Sequence, residues 1–504
     1  MEVVVALNPS RTGAVVLLAA AMVWSSGSPA APLAPRGGPA DPVYPALGNA
    51  GYDVERYDLD FTYRPDSRKV DATARVTARS LERLPRFELD ALGLDVHAVR
   101  VDGAPAAFRL HDEKLVVEPG RAVPAGAVMT VSVAYTADPR ASLPHTGWVP
   151  TDDGFAVAGQ PDGAHTVFPC NDHPSDKARF TVRVTAPDQL LGVANGTLAA
   201  GAARDGQTTR TYVSRYPMAT ELLQVSVGAY TVRERRGPDG TPLRDVVPTT
   251  RAAATEPALA LTPGQLGWLE QRLGAFPFET YGLMPADTDD PEAFDFTGLE
   301  TQTLTIYKPA FLLQPEAKIG SHMVHELVHS WFGDSVTPQN WADLWLNEGH
   351  ADFYGLLYRY ERGWPDSLGF TSFEARMKDT YARGDQWRHD SGPVAAPNAA
   401  NLFDSQRYLG GVLALYALQE EVGPDVFNRI EREFLRRYQH GTASTGDYIT
   451  TASRVAGRDL GPFLNAWLYG DRTPPMPHHP DWTVGPAAGV QRSFAPVPRG
   501  SATL

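Results

Sequence analysis

The spacing of hydrophobic and polar residues divides the chain into two parts. From Gly51 to about Val247, apolar and polar positions alternate in short runs separated by turn residues, which is typical of β-strands. The pattern predicts an all-β domain of roughly 200 residues. Its predicted strands are Tyr52–Phe61, Val70–Ala78, Ala98–Val101, Lys114–Val117, Ala127–Tyr135, Ala178–Ala186 and Glu221–Val232.

Beyond about Thr250 the apolar residues recur with the period of a helix. Thr262 is a predicted N-cap, with Pro263 at the first helical position. Two strands are predicted ahead of the main helices, at Tyr281–Ala286 and Thr301–Tyr307. The predicted helices are Thr262–Leu273, Lys318–Trp331, Trp341–Glu361, Leu368–Arg383, Leu409–Val422, Asp425–Tyr438, Thr445–Ala456 and Leu460–Tyr469. We therefore expect a multidomain chain, with the β domain at residues 50–247 followed by an α+β, mostly helical domain at 248–473.

The two ends of the chain differ from these domains. Arg11 precedes an apolar run and a small-residue patch, so residues 1–31 are interpreted as a secretory signal peptide; the alternative is a disordered N-terminal extension. Residues 32–49 are interpreted as a linker, and residues 474–504 as a poorly ordered Pro-rich tail. These features predict a secreted protein.

Charge and cysteine content exclude several kinds of partner and of metal site. Lys and Arg number 45 against 59 Asp and Glu, so the net charge is 45 − 59 = −14, which argues against nucleic acid or an anionic membrane as a partner. The longest apolar run is too short to span a bilayer. Because Cys170 is the single cysteine, an intramolecular disulfide and a thiolate zinc cluster are both excluded. We expect a soluble, acidic monomer.

A metal-binding pattern lies in the first of the long predicted helices. His325 and His329 are four residues apart, so on a helix they share a face and can bind one metal ion. Glu326 is placed to take a proton from a water on that metal. A catalytic zinc usually has three protein ligands, and Glu348 on the next helix is the best candidate for the third. His322 lies near the same face and is interpreted as a bystander or an outer-sphere residue.

A second unusual stretch interrupts the β domain. Residues 159–174 form a polar loop that Gly and Pro punctuate. It could be a plain connection, but loops of this length and polarity in a compact domain are often functional.

The run from His325 to Gly349 fits the pattern H-E-x-x-H-x(18)-E without a gap. With this run the chain resembles the zinc aminopeptidases of the aminopeptidase N and leukotriene hydrolase family, a branch of the gluzincins. The resemblance extends over nearly everything from Gly51 to Pro477. It implies a saddle-like β domain followed by a thermolysin-like catalytic domain with one zinc ion.

The resemblance also implies residues that bind the substrate. The family's Gly-x-Met-Glu-Asn element, whose Glu holds the α-amine of the substrate, corresponds to Thr297–Thr301, where only Glu300 of the four signature residues is kept. The altered positions put the first specificity pocket and the docking of the peptide backbone in doubt. In the polar loop, Gln160 matches a second anchor for the amine, and Asp162 replaces the usual Glu. Cys170 is then a structural, buried thiol.

Tyr408 completes the set that the resemblance implies. It matches the Tyr of the family's Tyr-x-Lys-Gly element, with Gly410 in the Lys position, and is expected to donate to the oxyanion; the alternative is a core aromatic at a helix start. Asp343 and Asn347 are candidate outer-sphere partners of the metal site.

Together these features predict a secreted zinc aminopeptidase that releases N-terminal residues from peptides. Two alternatives remain: a zinc hydrolase of a small electrophile such as an epoxide, and a catalytically degenerate peptide-binding protein. Larger family members carry a helical C-terminal domain over the active site, and about thirty residues follow Gly470 here, so we expect a two-domain, more open enzyme.

Overall fold

The structure, a computed structural model, describes residues 41–286 and 296–485. The predicted signal peptide, the first part of the predicted linker and the end of the predicted tail lie outside the described residues.

Strands dominate the described chain as far as Pro248, and each is labelled here in chain order. They are β1 (Tyr52–Arg64), β2 (Lys69–Ser80), β3 (Phe87–Asp90), β4 (Asp95–Val101), β5 (Ala104–Pro105), β6 (Ala107–His111), β7 (Lys114–Glu118), β8 (Val128–Ala137), β9 (Trp148–Pro150), β10 (Phe155–Val157), β11 (Arg179–Pro187), β12 (Leu191–Ala194), β13 (Thr197–Arg204), β14 (Gln207–Val213), β15 (Val225–Gly228), β16 (Tyr230–Arg236) and β17 (Pro242–Pro248).

The largest sheet of this β domain is built around β1. Its strand order is β13-β14-β11-β1-β2-β8-β4-β5, in which β1 pairs antiparallel with β2 and parallel with β11. Alternate residues of β2 and β8 are buried, as a sheet with one covered face requires. A smaller sheet, β12-β15-β10-β9, shares its hydrophobic core. The predicted order of an all-β unit followed by a helical unit is confirmed.

One predicted strand is two strands in the structure. The run Glu221–Val232 begins in a 3₁₀ turn and is then divided between β15 and β16, which belong to different sheets. Gly228 is the last residue of β15, and a Cβ there would lie 2.7 Å from the ring of Tyr230, so the change of direction between the two strands leaves room for glycine alone. The prediction of a continuous strand was wrong because alternation of residue types does not reveal a change of sheet.

The second unit has a small sheet and a helical body. Its strands are β18 (Leu283–Pro285), β19 (Gly298–Leu299), β20 (Thr305–Tyr307), β21 (Thr337–Pro338) and β22 (Thr442–Ala443), with the order β18-β20-β19 in the small sheet. Its helices are α1 (Ala252–Leu259), α2 (Thr262–Leu273), α3 (Pro309–Leu312), α4 (Glu316–Val328), α5 (Trp345–Glu361), α6 (Phe373–Ser391), α7 (Ser405–Val422), α8 (Pro424–Tyr438), α9 (Thr445–Ala456) and α10 (Gly461–Tyr469). None of these described helices combines the length and apolarity that crossing a bilayer needs.

The N-cap of α2 and the starts of three helices, by four or five residues, differ from their predictions. Helix α5 begins at Trp345 rather than Trp341, and α7 begins at Ser405 rather than Leu409. Helix α2 has Leu261 as its N-cap, so Thr262 is its first residue and makes no capping hydrogen bond. Helix α6 begins at Phe373 rather than Leu368, because the Ser372 side chain accepts from the Ala375 amide and fixes the first turn there.

Buried polar contacts join the two units. The Lys177 ammonium, in the β domain, donates to the carbonyls of Asp334 at 2.7 Å, Ser335 at 3.0 Å and Gly441 at 3.3 Å. The Asn195 amide donates to the carbonyl of Gln302, beside the small sheet. These bonds fix the β domain against segments that follow α4, precede β22 and precede β20.

Both segments that flank the domains are packed where the structure describes them. The Asp41 carboxylate accepts from the Trp341 amide at 2.7 Å, which differs from the expectation of a linker. Trp482 is 6% exposed, and its ring stacks on Tyr416 at 6.0 Å. The expectation of a poorly ordered tail is therefore wrong for residues 474–485, where Met476 is also buried and the Gly485 amide donates to the Ala382 carbonyl at 2.8 Å.

Candidate active site

Close helix packing assembles the predicted metal ligands. Apolar residues of α4 face the core, and His325 lies one turn before its C-cap residue, His329. Gly355 lets α5 approach α4, since a Cβ there would be 3.0 Å from the Ser321 carbonyl and 3.5 Å from the His325 Cβ. This approach brings Glu348, in the first turn of α5, to the two histidines.

The three candidate ligands converge on one point. The Nε2 atoms of His325 and His329 are 3.2 Å apart. The Glu348 Oε2 atom lies 3.3 Å from the first and 3.6 Å from the second. Two atoms on one tetrahedral zinc are about 3.3–3.4 Å apart for bonds of 2.0–2.1 Å, so the observed spacing matches that geometry.

The protonation pattern of the histidines supports the same interpretation. His325 Nδ1 bonds to the Asp352 carboxylate at 2.8 Å, and His329 Nδ1 to the Phe332 carbonyl at 3.1 Å. With both Nδ1 atoms donating, a metal ion that displaces the Nε2 protons would meet a lone pair on each ring, and the two Nε2 atoms lie 3.2 Å apart. Glu348 Oε2 is buried and accepts no hydrogen bond from the described residues. A cation between these atoms satisfies all three, so the residues present fit zinc.

Asp352 is a site residue that the sequence interpretation missed. It lies one turn after Glu348 on α5, is 2% exposed, and orients the His325 ring. The sequence contained a signal for Asp352, because a residue four positions after a ligand lies on the same face of the helix as that ligand.

The two outer-sphere candidates named from the sequence differ in what they contact. Asp343 accepts from the amide and the hydroxyl of Thr445, at 2.8 and 2.7 Å, and so fixes the start of α9 rather than a metal ligand. That prediction is wrong. Asn347 packs near Gly333, where a Cβ would lie 3.2 Å from its Nδ2 atom and 3.4 Å from His329 Nδ1.

The Glu326 carboxylate lies close to His329 and Glu300, with one oxygen or nitrogen of each within 4.8 Å of the others. A Cβ at Gly298 of β19 would be 2.9 Å from Glu326 Oε1, so glycine leaves the room that the carboxylate occupies. His322 Nε2 is 3.2 Å from the same oxygen, which makes His322 a direct neighbour of the predicted base. Burial, followed by the charges of His325 and His329, lowers the pKa of His322 well below its usual value.

Glu300 follows β19 directly and is 3% exposed. Its Oε1 atom lies 3.8 Å from His329 Nδ1 and accepts from the Gln160 side chain at 2.7 Å. Gln160 belongs to the polar loop of the β domain, so the structure brings the two predicted amine-binding residues into contact. Burial raises the pKa of Glu300, although His329 acts in the opposite direction.

The altered signature positions around Glu300 keep local roles. Leu299 lines the cavity, Thr301 closes a turn by donating to the Leu304 carbonyl, and the Thr297 carbonyl accepts from the Lys308 amide at 2.9 Å. The strand edge is therefore formed without the family's usual residues.

Asp162 and Tyr408 complete the predicted set. Asp162 Oδ2 is 3.8 Å from His145 Nδ1 on the cavity wall. Tyr408, in the first turn of α7, stacks on His325 with ring centroids 6.1 Å apart. Burial and then the nearby Glu348 and Glu300 raise the pKa of Tyr408 well above its usual value, so its hydroxyl keeps the proton that it would donate.

All the predicted site residues line one cavity of about 510 Å³. They are His325, His329, Glu348, Glu326, Tyr408, Glu300, Gln160 and Asp162. Leu299, Phe296 and Phe403 add apolar surface to the same wall. Metal ligands, a candidate base, a candidate oxyanion donor and an acidic group thus share one accessible space.

Electrostatic coupling in the cavity is strong. Burial alone would lower the pKa of His329, but Glu300 and Glu348 raise it to about 9. Burial alone would raise the pKa of Glu348, but His329 and His325 lower it to about 2. Burial raises the pKa of Glu326 to about 8. The Glu348 carboxylate is therefore ionised, as a metal ligand must be.

Comparison with known proteins identifies the family of the chain. Residues 53–222 match the peptidase M1 N-terminal domain, and residues 266–467 match the peptidase family M1 domain. A crystal structure of the M1 zinc metallopeptidase from Deinococcus radiodurans superposes with a TM-score of 0.74 at 30% identity, covering 87% of this chain and 99% of that one. A mutant of that protein bound to a Tyr-Ser-Ala substrate gives a TM-score of 0.75 at 30% identity, covering 88% and 99%. The chain belongs to peptidase family M1.

Curated relatives are longer than this chain. Glutamyl aminopeptidase of Mus musculus is 26% identical over 329 residues, which is 62% of this chain and 34% of the relative. Probable aminopeptidase 2 of Sulfurisphaera tokodaii is 23% identical over 406 residues, 77% of this chain and 50% of the relative. The chain thus spans a third to a half of the length of these relatives.

Proposed function

We propose that this protein is a zinc-dependent aminopeptidase that removes N-terminal residues from peptides. The observation that carries the proposal is the position of Glu300, a buried carboxylate whose oxygen lies 3.8 Å from a candidate zinc ligand and accepts from Gln160. The names of the family relatives, which include aminopeptidases and zinc metallopeptidases, support the same activity.

Glu300 gives the site its preference for a chain end. A buried carboxylate stabilises a cation strongly, and the α-ammonium of a peptide is a cation that it can pair with. Gln160 orients the carboxylate, and Asp162 adds a second negative group on the same wall. With the ammonium held there, the first peptide bond lies over the metal ligands.

The chain's own residues then carry out the proton transfers. A zinc ion held by His325, His329 and Glu348 would polarise the scissile carbonyl and acidify the attacking water. Glu326 takes the proton of that water and returns it to the leaving amine. Tyr408 donates to the oxyanion of the tetrahedral intermediate.

Hydrolysis of aminoacyl anilides by the purified chain tests the proposal. We expect turnover that a chelator abolishes and that zinc restores, and a loss of kcat of at least about 10³-fold in Glu326→Gln, whose metal ligands are intact. Full hydrolysis by Glu326→Gln, or by chelated protein, contradicts the mechanism. Epoxide opening without anilide hydrolysis would favour the alternative chemistry.

Secretion is part of the proposal and is supported by the sequence of residues 1–31, with Arg11 ahead of an apolar run. N-terminal sequencing of the protein from culture medium tests it. A start near residue 32 is expected, and an uncleaved chain retained inside cells would contradict it.

A further inference from the structure

A second group of metal-binding side chains lies in the β domain. Glu113 lies in the turn between β6 and β7, His145 in the connection between β8 and β9, and His165 in the 3₁₀ turn of the polar loop. One nitrogen or oxygen from each lies within 4.8 Å of the others. The group shares no residue with the zinc site, and the proposed peptidase function does not use it.

His165 is oriented as a metal ligand is. Its side chain is fully buried, and its Nδ1 atom bonds to the Asp172 carboxylate at 2.7 Å. Asp172 also accepts from the Thr220 hydroxyl at 2.7 Å, so the carboxylate is fixed. Carboxylate–histidine pairs of this kind orient ligands in metal sites, and the pair of Asp352 with His325 repeats the arrangement in this chain.

The other nitrogen of His165 has no hydrogen-bond partner among the described residues. The same holds for His145 Nε2, and both atoms are buried. One carboxylate faces both rings: Glu113 Oε1 is 3.5 Å from His145 Nε2, and Glu113 Oε2 is 3.9 Å from His165 Nε2. Three strong polar groups therefore converge without bonding to one another.

These separations favour an ion over a proton. Hydrogen bonds between nitrogen and oxygen span about 2.7–3.2 Å, so a proton on either Nε2 atom would not reach the Glu113 oxygens. Two ligands of one tetrahedral zinc ion lie about 3.3–3.6 Å apart for bonds of 2.0–2.2 Å. The separation of Glu113 from His145 Nε2 falls in this range, and a small rotation of the partly exposed Glu113 side chain would bring its other oxygen from 3.9 Å to the same distance from His165 Nε2.

We propose that Glu113, His145 and His165 form a second divalent-cation site beside the substrate cavity, whose wall includes His145. Two imidazoles and a carboxylate suit Zn²⁺ and neighbouring first-row metals, whereas Ca²⁺ and Mg²⁺ favour sets of oxygen ligands. Glu113 and His145 are partly exposed, so water completes the coordination sphere. His145 Nδ1 faces Asp162, which places the cation beside the predicted second anchor for the substrate amine.

The competing account is a doubly protonated His165 between two carboxylates. Burial alone would lower the pKa of His165, but the hydrogen bond to Asp172 helps to raise it above its usual value. A proton and a metal ion therefore compete for the ring. The two accounts differ in how many metal ions the chain binds at neutral pH.

Zinc titration of the full chain after removal of metal by dialysis against a chelator tests the proposal. Calorimetry with metal analysis should show two bound equivalents of zinc per native chain, and one in Glu113→Gln or in His145→Asn. The matched control is Glu118→Gln, an exposed acid at the end of β7 whose nearest cation is Arg109 at 3.7 Å, and it should keep two. Glu348→Gln should bind one equivalent of zinc, and the double variant with Glu348→Gln and Glu113→Gln should bind none.

Circular dichroism confirms that each variant is folded before titration. A single equivalent in the native chain would overturn the proposal, as would two equivalents retained in both Glu113→Gln and His145→Asn. Because the readout is metal content, the result does not depend on whether the chain is a peptidase.

Discussion

Asp352 gives the sharpest test of how the zinc site is held. Its carboxylate is 2% exposed and bonds to His325 Nδ1 at 2.8 Å, so solvent does not screen the contact. Asp352→Asn keeps the shape and an acceptor oxygen but removes the charge, and Asp352→Ala removes the contact altogether. We expect zinc affinity to fall about 10-fold in the first variant and about 100-fold in the second, or about 1.4 and 2.7 kcal/mol.

Competition with a chromophoric chelator measures these affinities directly. Activity at saturating zinc should return to within a few-fold of the native value in Asp352→Asn, because the catalytic groups are unchanged. Asp343→Asn is the matched control: this buried acid bonds to Thr445, so the variant should lose about 1–3 kcal/mol of stability and no zinc affinity. Native zinc affinity in Asp352→Ala, or an equal loss in Asp343→Asn, would refute the assignment.

Further predictions concern the oxyanion donor, the space beside the base and the packed tail. Tyr408→Phe should lower kcat about 10²–10³-fold with little change in KM, and an unchanged kcat would remove Tyr408 from the mechanism. Gly298→Ala places a Cβ 2.9 Å from both Glu326 Oε1 and the Tyr307 ring. We expect kcat to fall at least about tenfold while the zinc content stays at the native level. An unchanged kcat would show that Glu326 can move away without loss of activity. Trp482→Ala should cost about 3–5 kcal/mol of unfolding free energy in denaturant melts, whereas a loss under about 1 kcal/mol would mean that the tail is not part of the core.

The elements that the sequence predicted well are those with one buried face. Strand β2 alternates between buried and less buried positions along its whole length, and α9 has the bounds that its periodicity predicts, with a capping box at Ser444. Strand β13 was missed because every one of its residues is exposed, so no hydrophobic period marks it. Edge strands solvated on both faces carry little pattern.

The candidate site was predictable to the extent that its residues lie close together in the sequence. His325, Glu326, His329 and Glu348 belong to one run, and the structure brings them together. Glu300 and Tyr408 could be named only through a resemblance, because their distance from the metal ligands depends on how β19 and α7 pack. The group of Glu113, His145 and His165 comes from three separate turns, and no spacing rule connects them.

The central claim is that Glu300 selects a free N-terminus beside the metal ligands. The most direct measurement compares kcat/KM for one short peptide with a free and with an acetylated N-terminus, in the native chain and in Glu300→Gln. We predict that the native chain favours the free peptide by at least about 100-fold, or about 2.7 kcal/mol, and that Glu300→Gln loses most of this preference by cleaving the free peptide more slowly. Equal cleavage of both peptides by the native chain, or an unchanged preference in the variant, would contradict the account.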